Sequence, residues 1–364
     1  MDRKTKDGLG ACRVCEVLRA KRNKLPGAGG RFASLGPFTT GLLLAIVLLF
    51  PGDPRGLAAA GRKDAALPES PSGREGAEDP GLYWRLVGEN EGAYILDGAG
   101  NKTPLAEYRR MVVISPGAVE VLYMIGAESA IAALSSGRDP IWPEEKTSLL
   151  PSIGNTARPS LEAIVALDPD LVIGNAMNAA LMADLASRGY AVLIHSADSL
   201  ADIFNGTVLL GKLAGKEAEA RALVDEKQAQ LDSLKEALKR NPLNLKGAFL
   251  YSANPLTAFT ARSLPGEIFS ILGVENIAGG LNAAQPILSP EYILAQNPDF
   301  LFGAMAVSKP EDILNASPVI GQTRAGIEKN ISIVPSSLFM RTSPRIVESL
   351  MELYGIIQGF RKDP

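Results

Sequence analysis

The chain contains very little histidine and cysteine, with one His and two Cys among its 364 residues. A single His is too few for a His-rich zinc or copper site. Two Cys cannot form the disulfide framework of a small secreted domain. The formal net charge is -3, so the chain also lacks the excess of Lys and Arg with which proteins contact nucleic-acid phosphates. The composition therefore argues against a His-based metal site, a disulfide scaffold and a nucleic-acid partner.

The first 60 residues combine a basic segment with a short apolar run. Lys and Arg outnumber Asp and Glu there by ten to four, and the apolar run covers residues 41–50. Pro51 ends this run, and the three alanines that finish at Ala60 suit a cleavage site. The pattern predicts an export signal over residues 1–60. The run is shorter than the roughly 20 residues of a spanning helix. An uncleaved membrane anchor, a buried helix and a later start codon remain alternatives.

Both cysteines, Cys12 and Cys15, precede the apolar run. They have C-x-x-C spacing, but the strand–helix context and a second pair are missing. They also lie on the wrong side of the run to serve as a lipid-modified cleavage cysteine. Cleavage after Ala60 would therefore leave a chain without thiols, suited to an oxidising compartment. Residues 61–92 are rich in Pro, Gly, Glu and Ser, which predicts a flexible linker.

The remainder of the chain contains an internal repeat, which is the first organisational feature to seek. Residues 160–174 align without a gap with residues 289–303. Each segment begins with a Ser that predicts a helix N-cap, Ser160 or Ser289, followed two positions later by Glu. Each ends in an apolar run of the kind that forms buried parallel strands. The repeat predicts two similar halves.

A second repeated pattern places a glutamate in the first predicted helix of each half. Glu120 and Glu267 each precede a Gly by six positions, with mostly apolar residues between them. Gly126 and Gly273 suit helix C-terminal caps, where the backbone φ angle is positive. Each helix follows a predicted strand, so each half is expected to form an α/β lobe.

A long helical pattern from Lys216 to Arg240 separates the two halves. About 25 residues rising 1.5 Å each give a helix of about 37 Å, long enough to join two lobes. The predicted fold class is α/β, with two similar α/β lobes bridged by one long helix and a ligand cleft between the lobes. The predicted boundaries are 93–214 for the N-terminal lobe, 215–241 for the interlobe helix and 242–364 for the C-terminal lobe.

Residues 94–360 resemble the periplasmic binding proteins of iron-siderophore and vitamin B12 ABC importers. The resemblance is carried by Asp97–Asn101, Ile114–Ala127, Leu161–Ile173, Leu185–Val192, Leu272–Ala278 and Ser343–Leu350. It implies a periplasmic location, modest hinge motion, no catalysis and no resident cofactor. The implied partners are an ABC permease dimer with its cytoplasmic ATPase, and a small-molecule chelate such as an iron-siderophore, a corrinoid or haem. The alternative is a tethered haem-binding or ligand-sensing protein of the same fold without a transporter.

Candidate cleft residues follow the predicted strands. They are Ser115, Arg138, Trp142, Asn155, Asn175, Met177, Tyr251, Arg262, Met305 and Arg341. The three arginines suit the carboxylate or hydroxamate oxygens of an anionic chelate, and the two aromatic rings suit stacking on a planar ligand. For each residue the alternative is a surface salt bridge or ordinary packing. Family members that hold bare zinc or manganese use several His and carboxylates, so no metal site is predicted here.

The resemblance assigns Glu120 and Glu267 to permease docking. In the family, matching glutamates lie on the rim of each lobe and pair with arginines of the permease, whereas stabilisation by the helix dipole is the simpler alternative. His195 follows a predicted strand and is expected to be structural rather than a cleft residue. Neither a G-x-S-x-G nor an H-E-x-x-H motif occurs. Residues 206–213 approach a phosphate-binding loop, but Leu213 replaces its Ser or Thr, and a mid-helix position is predicted. No enzymatic activity is expected.

Overall fold

The computed structural model describes residues 83–89, 91–137, 139–283 and 285–361. The predicted export signal with Cys12, Cys15 and Ala60, most of the predicted linker, and the candidate residue Arg138 lie outside the described residues. Within the described ranges, no helix is long and apolar enough to cross a membrane.

The described residues form both strands and helices. The strands are β1 (Arg85–Val87), β2 (Tyr94–Leu96), β3 (Lys102–Pro104), β4 (Met111–Val113), β5 (Ile131–Ser136), β6 (Ser152–Asn155), β7 (Arg158–Pro159), β8 (Leu171–Gly174), β9 (Val192–Ile194), β10 (Leu245–Ala253), β11 (Leu256–Ala258), β12 (Val274–Asn276), β13 (Phe300–Gly303) and β14 (Ile331–Ile333). The helices are α1 (Pro116–Met124), α2 (Glu144–Thr147), α3 (Leu161–Ala166), α4 (Ala179–Ser187), α5 (Leu200–Leu213), α6 (Glu217–Arg240), α7 (Leu264–Ile271), α8 (Pro290–Gln296), α9 (Pro310–Ala316), α10 (Arg324–Ile327) and α11 (Ile346–Gln358).

The N-terminal lobe is built on a six-stranded sheet with the order β7-β6-β5-β4-β8-β9. All neighbouring pairs are parallel except β6 and β7. Side chains alternate between its two faces: Met111 and Val113 belong to one core cluster, whereas Val112 and Ile114 belong to another. Both faces are therefore covered, which explains why β4 is apolar throughout rather than alternating with polar residues.

The C-terminal lobe contains a sheet in the order β11-β10-β13-β14, with β12 also paired to β10. Its core is rich in phenylalanine. The ring of Phe249 stacks at a centroid distance of 4.4 Å on Phe269 and of 4.6 Å on Phe339. Such pairs contribute about 0.5–1.5 kcal/mol beyond the burial of their area. Because Phe339 follows β14, this cluster also anchors the start of the segment that reaches toward the other lobe.

The predicted repeat is confirmed at the level of local structure. Ser160 Oγ accepts a hydrogen bond from Ala163 N, and Ser289 Oγ accepts one from Tyr292 N, each at 3.1 Å. The two serines are therefore equivalent N-caps of α3 and α8. After the two glutamate-bearing helices, Gly126 and Gly273 have φ angles of +70° and +68°, as expected for helix C-terminal caps.

The long helix predicted from Lys216 to Arg240 is present as α6, and α5 packs antiparallel to it. Leu200 at the start of α5 belongs to the core of the C-terminal lobe, whereas Leu213 at its end belongs to the core of the N-terminal lobe. α6 runs the opposite way, with Ala220 in the N-terminal core and Leu238 in the C-terminal core. A second crossing helix therefore lies beside the predicted one.

The predicted linker extends too far. Trp84 lies within its range of 61–92 but is only 2% exposed, and its Nε1 donates a hydrogen bond to the Ile194 carbonyl at 2.8 Å. Its ring also contacts His195 edge-on, at a centroid distance of 5.2 Å. Strands β1, β2 and β3 form a three-stranded antiparallel sheet, and Thr103 in β3 donates to the Val192 carbonyl. Described residues before position 93 therefore already pack on the N-terminal lobe, because the buried Trp84 anchors them.

Candidate ligand-binding cleft

The two lobes meet through residues 336–345, which follow β14 and are named here the interlobe segment. Ser336 Oγ donates to Asp139 Oδ2 at 2.6 Å, and Arg341 Nη2 donates to the Pro140 carbonyl at 3.2 Å. Asp139 and Pro140 follow strand β5 of the N-terminal lobe. The carboxyl end of one sheet thus faces the carboxyl end of the other, the usual location of ligands in open α/β sheets.

His195 lies at the centre of this contact. Its Nδ1 is 2.9 Å from Ser115 Oγ in the N-terminal lobe and 3.1 Å from Thr342 Oγ1 in the interlobe segment. Burial lowers the pKa of His195 to about 3, so the imidazole is neutral at physiological pH. This burial agrees with the prediction that His195 has a structural role rather than a ligand-binding role in the cleft. Ser115 is also buried, and its hydroxyl is engaged by His195, so its contact with a ligand stays a prediction.

Glu120 occupies an unexpected position. Its side chain is 1% exposed, and its carboxylate accepts a hydrogen bond from Ser343 Oγ at 2.5 Å. Arg345 Nη1 lies 3.2 Å and Arg341 Nε 3.5 Å from Glu120 Oε1. The C-terminal lobe therefore covers Glu120, and its predicted contact with a permease stays a prediction.

Glu267 is also engaged within the chain. Its Oε2 accepts a hydrogen bond from the backbone N–H of Leu200, the first residue of α5, at 2.8 Å. Burial raises the pKa of Glu267, and the Leu200 hydrogen bond opposes this effect. Each of the two repeated glutamates therefore has an internal partner, and permease docking by either remains a prediction.

A cavity of about 240 Å³ lies between the interlobe segment and the N-terminal lobe. It brings together three predicted residues, Glu120, Trp142 and Arg341. Arg345, which sequence reasoning did not select, lies over the Trp142 ring at 4.9 Å from its centre. The Arg341 side chain is only 10% exposed. The charges of Glu120, Arg341 and Arg345 and the ring of Trp142 therefore take part in the contact between the lobes. The cavity is also smaller than the roughly 300–1,000 Å³ typical of ligand pockets.

Two of the other predicted residues have local structural roles. Asn155 Oδ1 accepts a hydrogen bond from Ala157 N at 2.8 Å, and Asn175 Oδ1 accepts one from Met177 N at 2.9 Å. These contacts shape the turns after β6 and β8, as Asn side chains commonly do. Tyr251, two residues before the end of β10, donates a hydrogen bond from its hydroxyl to Gln285 Oε1 at 2.9 Å.

Exposed methionines follow equivalent strands of the two lobes. Met177 follows β8 and is 62% exposed, and Met305 follows β13 and is 44% exposed. The two strands belong to the aligned halves of the repeat. Met305 has a φ of +55° in a turn closed by a hydrogen bond from Val307 N to the Ala304 carbonyl. A positive φ is unfavourable for a residue with a side chain and is often kept at functional positions.

Among the described candidate residues, the two charged side chains that suit an anionic ligand are Arg262 and Arg341. Arg262 is exposed, in contrast to Arg341. In the part of the chain that the structure describes, no group of three or more His, Cys, Asp or Glu residues is arranged to hold a metal ion. A larger open groove of about 540 Å³ lies beside the turn between α5 and α6, but it contains none of the predicted site residues.

Two α/β lobes that face each other through the carboxyl ends of their strands define a two-lobed solute-binding protein. The chain belongs to the periplasmic binding protein family, which matches residues 111–338. It is 25% identical over 256 residues to the cobalamin-binding protein of Halobacterium salinarum, covering 68% of this chain and 69% of that protein. It is 28% identical over 202 residues to the vitamin B12-binding protein of Vibrio campbellii, covering 54% and 70%.

Solved structures of low sequence identity share the fold. The periplasmic haem-binding protein of Roseiflexus in its apo form aligns with a TM-score of 0.61 and 22% identity, covering 70% of this chain and 99% of that chain. The vitamin B12-binding protein of Vibrio cholerae aligns with a TM-score of 0.57 and 18% identity, covering 70% and 99%. The predicted two-lobed α/β fold is thereby confirmed.

Proposed function

We propose that this protein is the extracytoplasmic substrate-binding component of an ABC importer, which captures an intact metal chelate and delivers it to the permease. The observation that carries the proposal is the position of the cleft, where the strand ends of two α/β lobes meet. Membership of the periplasmic binding protein family supports it. The curated relatives described as binding cobalamin or vitamin B12 support a chelate as the ligand.

Among chelates, we favour a bulky ligand with little charge, such as a corrinoid. Arg341 is occupied by Glu120 and Pro140, so Arg262 is the exposed arginine among the predicted cleft residues that the structure describes. Met177 and Met305 offer adaptable thioether surfaces just after equivalent strands of the two lobes. This combination favours apolar contact over pairing with carboxylates. An iron-siderophore and haem are the alternatives that a binding experiment distinguishes.

The test is a thermal-shift measurement with cyanocobalamin, haem and a ferric siderophore, each offered to the full chain. A ligand at 100 times its dissociation constant stabilises the folded protein by about 2.7 kcal/mol. We expect the largest shift with cyanocobalamin, which should be recovered unchanged by mass spectrometry. Tight binding of free Zn²⁺ without any response to the three chelates would refute the proposal.

Delivery to the permease also requires a docking surface, for which Glu120 and Glu267 remain the predicted residues. Because both carboxylates have internal partners, a permease arginine would have to replace a contact that already exists. The double variant Glu120→Ala with Glu267→Ala should lose uptake in cells if these residues dock. If the two residues serve docking alone, the rate at which the ligand dissociates from the purified double variant should equal that of the wild type. Normal uptake by cells that carry the double variant would exclude the docking role.

A further inference from the structure

We infer that Glu120 is a positioning residue that holds the two lobes in a fixed relative orientation. It does so through the interlobe segment, and it thereby sets the width of the cleft. Its effect on a ligand rests on the proposed function, whereas its effect on lobe orientation depends only on contacts within the chain.

The first observation is the set of partners around one buried carboxylate. Glu120 belongs to α1 of the N-terminal lobe, and Ser343, Arg341 and Arg345 all belong to the segment that follows the C-terminal sheet. A carboxylate with 1% exposure is stable only when its charge is paired and hydrogen-bonded. If the lobes separated here, both the carboxylate and two guanidinium groups would lose their partners. The lobe orientation and the pairing of Glu120 are therefore coupled.

The second observation is the close approach of the two backbones beside Glu120. Gly117 in α1 lies against Thr342, and a Cβ at position 117 would clash with Thr342 Oγ1 and lie 2.8 Å from the Thr342 carbonyl oxygen. The neighbouring hydroxyl of Thr342 also reaches His195. Residues 341–345 thus contact both α1 and the loop after β9. These contacts leave the interlobe segment little freedom to slide along the N-terminal lobe.

The third observation is that the repeated glutamate of the other lobe also holds a segment of the chain, although through a single backbone hydrogen bond. Glu267 is the equivalent residue of α7 in the C-terminal lobe, and it holds the N–H of Leu200 at the start of α5. The chain reaches Leu200 directly from β9 of the N-terminal lobe. Each repeated glutamate therefore fixes a segment that arrives from the opposite lobe. This explains why the glutamate recurs at the same position without requiring an external partner.

The test measures the distance between the lobes in the absence of ligand. Spin labels are attached to Ala186→Cys in α4 and Asn315→Cys in α9, two exposed positions, in a full chain with Cys12→Ser and Cys15→Ser. Glu120→Gln removes the charge but keeps the side-chain shape. The matched control is Glu144→Gln, an exposed carboxylate that lines the same cavity. Ser343→Ala provides a milder disruption from the other lobe if Glu120→Gln fails to fold.

We expect a broader and longer distance distribution for Glu120→Gln and Ser343→Ala than for the wild type or Glu144→Gln. A purely structural role would lower the melting temperature without changing the distances. Unchanged distributions in both variants would therefore overturn the inference. With cyanocobalamin as the probe, we expect dissociation from Glu120→Gln to accelerate by about tenfold. If the wild type binds no chelate, the proposed function fails, but the ligand-free distances still decide the role of Glu120.

Discussion

Lowering the pH from 7 to 5 should weaken the fold through one buried group, His195. Its imidazole has a pKa of about 3 in the folded chain, against 6.5 for an ordinary histidine, because burial disfavours the charged form. Above pH 6.5 the imidazole is neutral in both the folded and the unfolded chain, and it has no effect on stability. Below pH 6.5 the unfolded chain binds a proton that the folded chain does not, so unfolding is favoured until the pH approaches 3.

The size of the effect follows from the difference between the two pKa values. Each pH unit between 6.5 and 3 costs about 1.4 kcal/mol of unfolding free energy, so the loss at pH 5 is about 2 kcal/mol. The assay is urea denaturation of the wild type and of His195→Asn at pH 7 and at pH 5. Asn keeps a polar atom near the position of Nδ1, next to Ser115 and Thr342, but does not titrate.

The comparison between the two proteins isolates His195 from other titrating groups. Glu267, whose pKa is raised by burial, titrates in both proteins and cancels in the difference. We expect the wild type to lose about 2 kcal/mol more than His195→Asn over this pH range. An equal loss in both proteins would show that the folded chain accepts a proton on His195, and it would refute the reasoning.

Three further predictions concern packing, ligand charge and export. Gly117→Ala should destabilise the fold by about 1–3 kcal/mol in urea denaturation, because its Cβ would clash with Thr342. Gly355→Ala is the control and should be neutral or slightly stabilising, because nothing lies within 4 Å of the added Cβ. Equal effects of the two substitutions would contradict the close approach of Gly117 to Thr342. Arg262→Ala should weaken an anionic ferric siderophore more than cyanocobalamin in calorimetry, and a uniform loss would assign Arg262 to packing. N-terminal mass spectrometry of protein from the native envelope should find Gly61 first, and an intact Cys12 would favour the membrane anchor.

Features determined by neighbouring residues were predictable from the sequence. Ser160 and Ser289 act as N-caps because the capping hydrogen bond reaches only three residues along the chain. The long helix α6 follows from a continuous run of helix-forming residues that ends at Asn241-Pro242. The lobes were likewise predictable, because buried parallel strands are apolar along their whole length.

Features that depend on distant partners were not predictable. The environment of Glu120 is created by Ser343 and Arg345, more than 200 residues further along the chain. Local sequence around Glu120 indicates only a favourable helix position, and gives no information on which segment covers it. The composition of residues 61–92 predicts a linker around Trp84 for the same reason, since its partners Ile194 and His195 are about 110 residues away. Arg345 lies in a segment that carries the family resemblance, but its contact with Trp142 could not be predicted, because the two residues are far apart in the sequence.

The antiparallel pair of α5 and α6 has a consequence for how a ligand is captured. The chain crosses between the lobes along both helices, and Gly211 allows them to pack so closely that a Cβ there would lie 2.5 Å from Ala220 Cβ. Bending two tightly packed helices together is harder than bending a single connection. Large changes in the angle between the lobes are therefore opposed by both helices, and binding requires little ordering of the protein. The entropic penalty of association is reduced accordingly.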